Sequence, residues 1–224
     1  MIVSDDREVH RHYSSLTPFF GAAPGALLEG LAQLSEVQVH IVSVLQNPVN
    51  SPAKLAANIY YHPLIVPKWG WLRGAYLGCL YAIRRKLRQL APALVHGQGT
   101  ERYCSLAAAY SGFANIITIH GNMRRIARLS NAKPFTFEWL TARLEGFVLP
   151  RSDGVICVST HARREVEALA RRTWVVPNAV EASLFAVQRT PGDEPILLCP
   201  ATVYRVKNQV GLICALDPLA QKRR

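Results

Sequence analysis

Residues 173–216 read Thr-Trp-Val-Val-Pro-Asn-Ala-Val-Glu-Ala-Ser-Leu-Phe-Ala-Val-Gln-Arg-Thr-Pro-Gly-Asp-Glu-Pro-Ile-Leu-Leu-Cys-Pro-Ala-Thr-Val-Tyr-Arg-Val-Lys-Asn-Gln-Val-Gly-Leu-Ile-Cys-Ala-Leu. The first apolar run is a buried strand that ends at Pro177-Asn178. Polar and turn-forming residues follow, with the composition of a linker. Ile196 to Cys199 predicts a second strand, then a loop with Arg205 and Lys207, then a helix over 208–216. One α/β unit hands over to another here, and everything upstream belongs to the first.

Upstream, strand and helix patterns alternate from about residue 22 to 180. Leu27, Leu28, Leu31 and Leu34 recur at helical spacing behind Pro24, which suits a helix's first turn. Val37–Leu45 is a buried strand, 46–58 a loop, and Tyr60–Val66 a short strand stopped by Pro67. Trp69–Leu90 predicts one helix, with Leu72, Tyr76, Leu80, Ile83, Leu87 and Leu90 on one side and Arg73, Arg84, Arg85, Lys86 and Arg88 supplying charge. Ala93–His96 is a strand ending in Gly97-Gln98-Gly99, and Glu101–Ser111 a helix. A strand over 115–121, helices over 122–129 and 136–147, a strand over 154–159, a helix over 161–171 and a strand over 174–177 complete the unit. Met1–Ser4 is too short to assign. Parallel strands need crossovers, so the alternation predicts a doubly wound parallel sheet with helices on both faces. Ligands of such sheets bind at the carboxyl ends of the strands. Those ends carry His96, Gly97 and Gly99, then His120 and Gly121, then Ser159, then Pro177 and Asn178.

Composition narrows the rest. The chain has 224 residues, 50% of them hydrophobic and 18% charged, which is enough to build a real core. Its net charge of +11 favours anionic partners: nucleic acid, acidic lipid or phosphorylated small molecules. No helix-turn-helix, zinc or RNP-type pattern supports nucleic acid. The five cysteines form no C-x-x-C pair and sit among apolar residues, so they read as free, buried thiols in a reducing compartment. No apolar run reaches the ~18 residues of a membrane span, and the start has no secretory h-region. The expected location is cytoplasmic. Basic and aromatic residues together on the 69–90 helix suit peripheral contact with an anionic membrane at its inner face. The plainer account of that helix is an outer helix with a solvated charged face. His10 and His12 carry little information.

Five pieces of the sequence together resemble the retaining GT-B glycosyltransferases of family 4. Ala93-Leu-Val-His96-Gly-Gln-Gly resembles the family's His- and Gly-bearing strand end. Ile117-Thr-Ile-His120-Gly121 resembles its next strand end, and Ser152–Ser159 its "A-D-x-V-I-x-V-S" strand. Val175–Phe185 resembles "V-I-P-N-G-V-D-x-x-x-F". Ala201–Leu216, with Lys207-Asn208, resembles the opening of the family's second domain. The specificity lies in the order of the five, which span residues 93 to 216.

The resemblance implies an N-terminal, acceptor-side Rossmann-like domain over 1–182, a linker over 183–194, and over 195–224 a truncated start of the domain that binds the nucleotide-sugar. It implies sugar transfer with retention, from a nucleotide-sugar co-substrate to a glycan or lipid-linked acceptor, with no cofactor and no metal. His120 takes the catalytic position near the transferred sugar. Lys207 contacts the donor diphosphate, as a lysine ahead of a helix N-terminus can. Arg205 is the candidate second phosphate contact, because Ala201-Thr202 stands where the family often has Gly-Arg. His96, Gly97, Gly99, Gly121 and Asn178 line the acceptor cleft. The plain alternatives are a satisfied core histidine for His120 and tight turns for the glycines and Asn178. The family's E-x7-E motif is absent from the sequence, which implies a polypeptide inactive by itself. The competing function is a non-catalytic domain that binds carbohydrate or an anionic surface and needs a partner.

Overall fold

The computed structural model describes residues 1–4, 17–188, 196–201, 203 and 205–221, without the side chains of Arg73, Arg205 and 219–221. His10, His12 and residues 189–194 of the expected linker lie outside the described residues. In chain order the elements are β1 (Ile2–Val3), α1 (Ala22–Ala32), β2 (Val39–Leu45), β3 (Lys54–Ala56), β4 (Ile59–Ile65), α2 (Leu77–Leu90) and β5 (Val95–Gln98). Then come α3 (Tyr103–Ala109), β6 (Asn115–Ile119), α4 (Met123–Leu129), α5 (Phe137–Val148), β7 (Gly154–Cys157), α6 (Thr160–Val166), β8 (Thr173–Val175) and α7 (Gln209–Gln221). The eight strands form one sheet in the order β3-β4-β2-β1-β5-β6-β7-β8. Every neighbouring pair is parallel except the edge hairpin β3–β4.

The sheet is doubly wound, as the alternation predicts. Neighbouring residues of a strand point to opposite faces. Val3 and Val42 pack with Cys79, Ile83 and Leu87 of α2 and with Cys104 and Ala107 of α3. Their neighbours Ile2 and Ile41 pack on the other face with Phe20 and with Leu27 and Leu31 of α1. A third cluster joins Ile119, Val155 and Cys157 to Val166 of α6.

Four features differ from the sequence reading. Two residues suffice for β1, because it lies between β2 and β5 and pairs with both. Burial on both faces, not length, makes it a strand. The expected loop over 46–58 contains β3, a short strand capping the sheet edge. The expected single helix over 69–90 is broken into two 3-10 turns, Lys68–Gly70 and Leu72–Gly74, before α2 begins. Ala75 and Tyr76 there have φ of 50° and 60°. Buried Trp71 pulls the chain inward by donating its indole N–H to the Val66 carbonyl at 3.1 Å. Finally, the expected strand Ile196–Cys199 forms no strand. Nothing in the described residues offers it a ladder partner, and Ile196 and Leu198 are 86% and 80% exposed. Cys199 and Cys214 are exposed too, whereas Cys79, Cys104 and Cys157 are buried, and all five are free thiols.

Phe185, Ile196, Leu198, Val203 and Val210 together leave a run of large apolar side chains in water. Exposed apolar surface of this kind drives association. The isolated chain at tens of micromolar is therefore expected to self-associate in light scattering. A clean monomer would overturn that expectation.

Candidate functional site

The chain reverses its winding direction at β1 and β5: β1 leads through α1 to β2 on one side, and β5 through α3 to β6 on the other. Ligands of open α/β sheets bind outside the carboxyl ends at this point. Here those ends are residues 99–102 after β5 and 120–122 after β6.

Register fixes which side chains meet. His96 lies opposite Ile116, and Gln98 opposite Thr118. With a period of two, His96, Gln98, Thr118 and His120 share one face. They form a continuous chain of hydrogen bonds. His96 Nε2 lies 2.6 Å from Thr118 Oγ1. Gln98 Nε2 lies 3.1 Å from His96 Nε2, and its Oε1 lies 2.8 Å from His120 Nε2. An amide oxygen only accepts, so His120 carries its proton on Nε2 and donates it to Gln98. The Gln98 amide nitrogen only donates, so His96 Nε2 accepts and the ring is neutral. Burial, with the nearby N-terminal ammonium and His120, holds His96 far below the ordinary histidine range, at about 4.

The glycines divide by role. Gly99 has φ of 83° and turns the chain out of β5. Gly97 is a strand residue, not a turn. A Cβ there would lie 2.7 Å from the Cys104 carbonyl oxygen, so its lack of side chain lets α3 lie close on the face opposite His96. Gly121 has ordinary space around it, with Ile126 Cδ1 at 3.7 Å from an added Cβ.

The other expected site residues lie outside this cluster. Asn178 is exposed beyond the end of β8. Lys207 is exposed in the 3-10 turn before α7. The Arg205 side chain lies outside the described residues. Ser159 serves as the N-cap of α6, its oxygen accepting the Ala162 N–H at 3.1 Å. Among the described residues no three His, Cys, Asp or Glu side chains gather as a ligand set, and no helix is long and apolar enough to cross a membrane.

Sequence reasoning passed over Gln98 and Thr118, which hold the two histidines. The signal for Gln98 was available: it stands two residues after His96 and so shares its face. Glu145 was also missed. It is fully buried in α5 and accepts from Thr100 Oγ1 at 2.7 Å and from the N–H groups of Met123 and Arg124 at 2.9 and 3.2 Å.

A sequence model described as Glycosyltransferase Family 4 matches residues 25–184. Among solved structures, sucrose-phosphate synthase from Thermosynechococcus elongatus is similar over 79% of this chain and 47% of its own, at 13% identity and a TM-score of 0.56. A UDP-glucosyltransferase from Polygonum tinctorium, described as capable of glucosylating indoxyl, is similar over 86% of this chain and 54% of its own, at 11% identity and a TM-score of 0.55. At such identities the likeness is one of fold. The chain spans about half the length of these two enzymes. No curated protein sequence matches it.

Proposed function

Because the chain belongs to Glycosyltransferase Family 4 and has the Rossmann-like fold of GT-B enzymes, we propose that it supplies the acceptor side of a retaining sugar transfer from a nucleotide-sugar. The observation that carries this is the Thr118–His96–Gln98–His120 chain at the switch point, which presents an oriented imidazole where such sheets bind ligands. His120 is the catalytic residue. His96, Gly97, Gly99, Gly121 and Asn178 border the acceptor. Residues 1–182 form this acceptor domain, 183–194 the linker, and 195–224 the opening of a donor domain in which Lys207 and Arg205 contact the diphosphate. This division of labour puts the donor grip outside residues 1–182. No metal takes part.

The test is transfer of labelled sugar from a panel of nucleotide-sugars onto host glycan and lipid fractions, with and without a donor domain supplied in trans. Product of retained configuration, only in the complete mixture, is the expected result. Turnover by the chain alone at ordinary rates of about 1–10 s⁻¹ would overturn the division of labour. Inverted product would overturn retention, and no product in any mixture would overturn sugar transfer.

The acceptor partner follows from a groove of about 470 Å³ between the end of β4 and α2. Leu64, Val66, Trp69 and Tyr81 give it an apolar wall, and Arg85 and Lys86 a basic rim. Trp69 and Tyr81 are 75% and 72% exposed, although the buried face of α2 (Cys79, Ile83, Leu87) packs on the sheet as an ordinary outer helix does. Aromatic side chains beside cations suit the interface of an anionic leaflet, where a lipid-linked acceptor resides. Sedimentation with phosphatidylglycerol vesicles is expected to carry the protein down. Replacing Arg85 and Lys86 by alanine is expected to weaken this about 10- to 30-fold, at ~1 kcal/mol per basic residue. Equal binding to neutral vesicles would count against it.

A further inference from the structure

Glu145 has no exposed surface, yet no part of the site chemistry described above uses it. Taking a carboxylate out of water costs several kcal/mol unless its oxygens are well satisfied. Glu145 meets that condition with partners from two different loops. Thr100 stands in the segment that leaves β5 just after Gln98 and Gly99. Met123 and Arg124 open α4, just after the β6 end that carries His120 and Gly121. The next N–H of α4, that of Arg125, is taken by the Asn122 side chain at 2.6 Å. One carboxylate therefore joins the two loops that the Gln98–His120 hydrogen bond also spans.

We propose that Glu145 is a positioning residue for the strand-end site: its carboxylate holds the 99–102 loop and the start of α4 at one separation and so keeps Gln98 and His120 in hydrogen-bonding register. The choice of residue follows from the partners. All three are donors, and a carboxylate is acceptor-only, with about four lone-pair sites on two oxygens. Glutamine would turn an NH2 group toward at least one N–H or O–H. The negative charge also suits the start of a helix, where N–H groups converge. Burial raises the carboxyl's pKa, while the three hydrogen bonds and Arg124 act to lower it, so the bonds partly offset the burial.

The catalytic consequence rests on the function proposed above; the positional one does not. The experiment therefore reads position first. Glu145→Gln and Thr100→Val are made in the whole chain, with amide exchange measured over 98–102 and 122–126. The imidazole ¹⁵N signals of His120 report whether its proton stays on Nε2. Glu145→Gln is expected to speed exchange at Met123 and Arg124 about ten-fold or more and to disturb the His120 tautomer. Thr100→Val is expected to disturb the His120 signals while Met123 and Arg124 stay protected. If Glu145→Gln frees the α4 amides but leaves His120 unchanged, Glu145 is only a remote helix cap and the proposal fails. Unchanged His120 signals in Thr100→Val overturn it equally, even where Glu145→Gln does not fold. In a mixture that transfers sugar, Glu145→Gln is expected to lower kcat about ten-fold with KM little changed. Absence of any transfer by the parent protein would defeat the proposed function without touching the exchange and ¹⁵N results.

Discussion

His120→Ala is expected to lower kcat for sugar transfer about 100-fold, the low end of what a placed acid–base side chain contributes. The site gives the ring one defined state. Gln98 Oε1 accepts the Nε2 proton at 2.8 Å, which fixes the orientation of the ring at the end of β6. An imidazole so held meets the acceptor sugar without first reorienting. Gln98→Leu keeps the ring but removes the partner that orients it. That variant is expected to lose about ten-fold in kcat, since a misplacement near 1 Å is enough for such losses. The His120→Ala variant should melt within a few degrees of the parent, because His120 follows β6 and is only half-buried. The measurement is initial rate against acceptor concentration, with labelled nucleotide-sugar and a donor domain present. A His120→Ala protein within two-fold of the parent would remove His120 from the mechanism and leave it a core histidine.

The sequence made the sheet legible because burial on both faces writes itself as near-continuous apolar runs rather than strict alternation. Val39–Leu45 and Asn115–Ile119 are such runs, and both form the expected strands. The same signal misled at Ile196–Cys199. An apolar run of four becomes a strand only beside another strand, and none stands there among the described residues. At β1 the failure was opposite, since two residues carry too little pattern to count. The strand-end histidines could be placed from periodicity alone. Their coupling could not: it depends on Gln98 lying opposite Thr118, a register that no single strand encodes. Glu145 was hidden for a related reason. It sits at a helical position with Thr141 and Val148 buried near it in sequence, and only the packing of α5 against α4 shows that a carboxylate there faces three donors.

Acid should expose the same network through stability. Folding is expected to lose about 3 kcal/mol between pH 7 and pH 4 through His96, whose pKa falls from 6.5 to about 4 in the fold. The sign follows from proton counting. In the unfolded chain His96 gains a proton as the pH drops through 6.5. In the fold it resists protonation until about 4. Between those values the unfolded state binds more protons, so stability falls with pH across that window and levels off below it. His62, also lowered to about 4 by burial and by the charges of Lys86 and His40, acts in the same direction. Solvent screens part of its share. Glu145, raised by burial, acts in the opposite direction by taking up its proton earlier in the fold. The comparison that isolates His96 is urea unfolding of the parent and of His96→Gln at pH 7 and pH 4. The parent should lose about 3 kcal/mol more than the variant over that interval; equal losses would mean that His96 is not held neutral. Protonated His96 also offers an N–H where it had accepted one, so the Gln98 amide must turn over, taking its oxygen away from His120. Acid therefore loosens the oriented imidazole through the same proton that weakens the sheet.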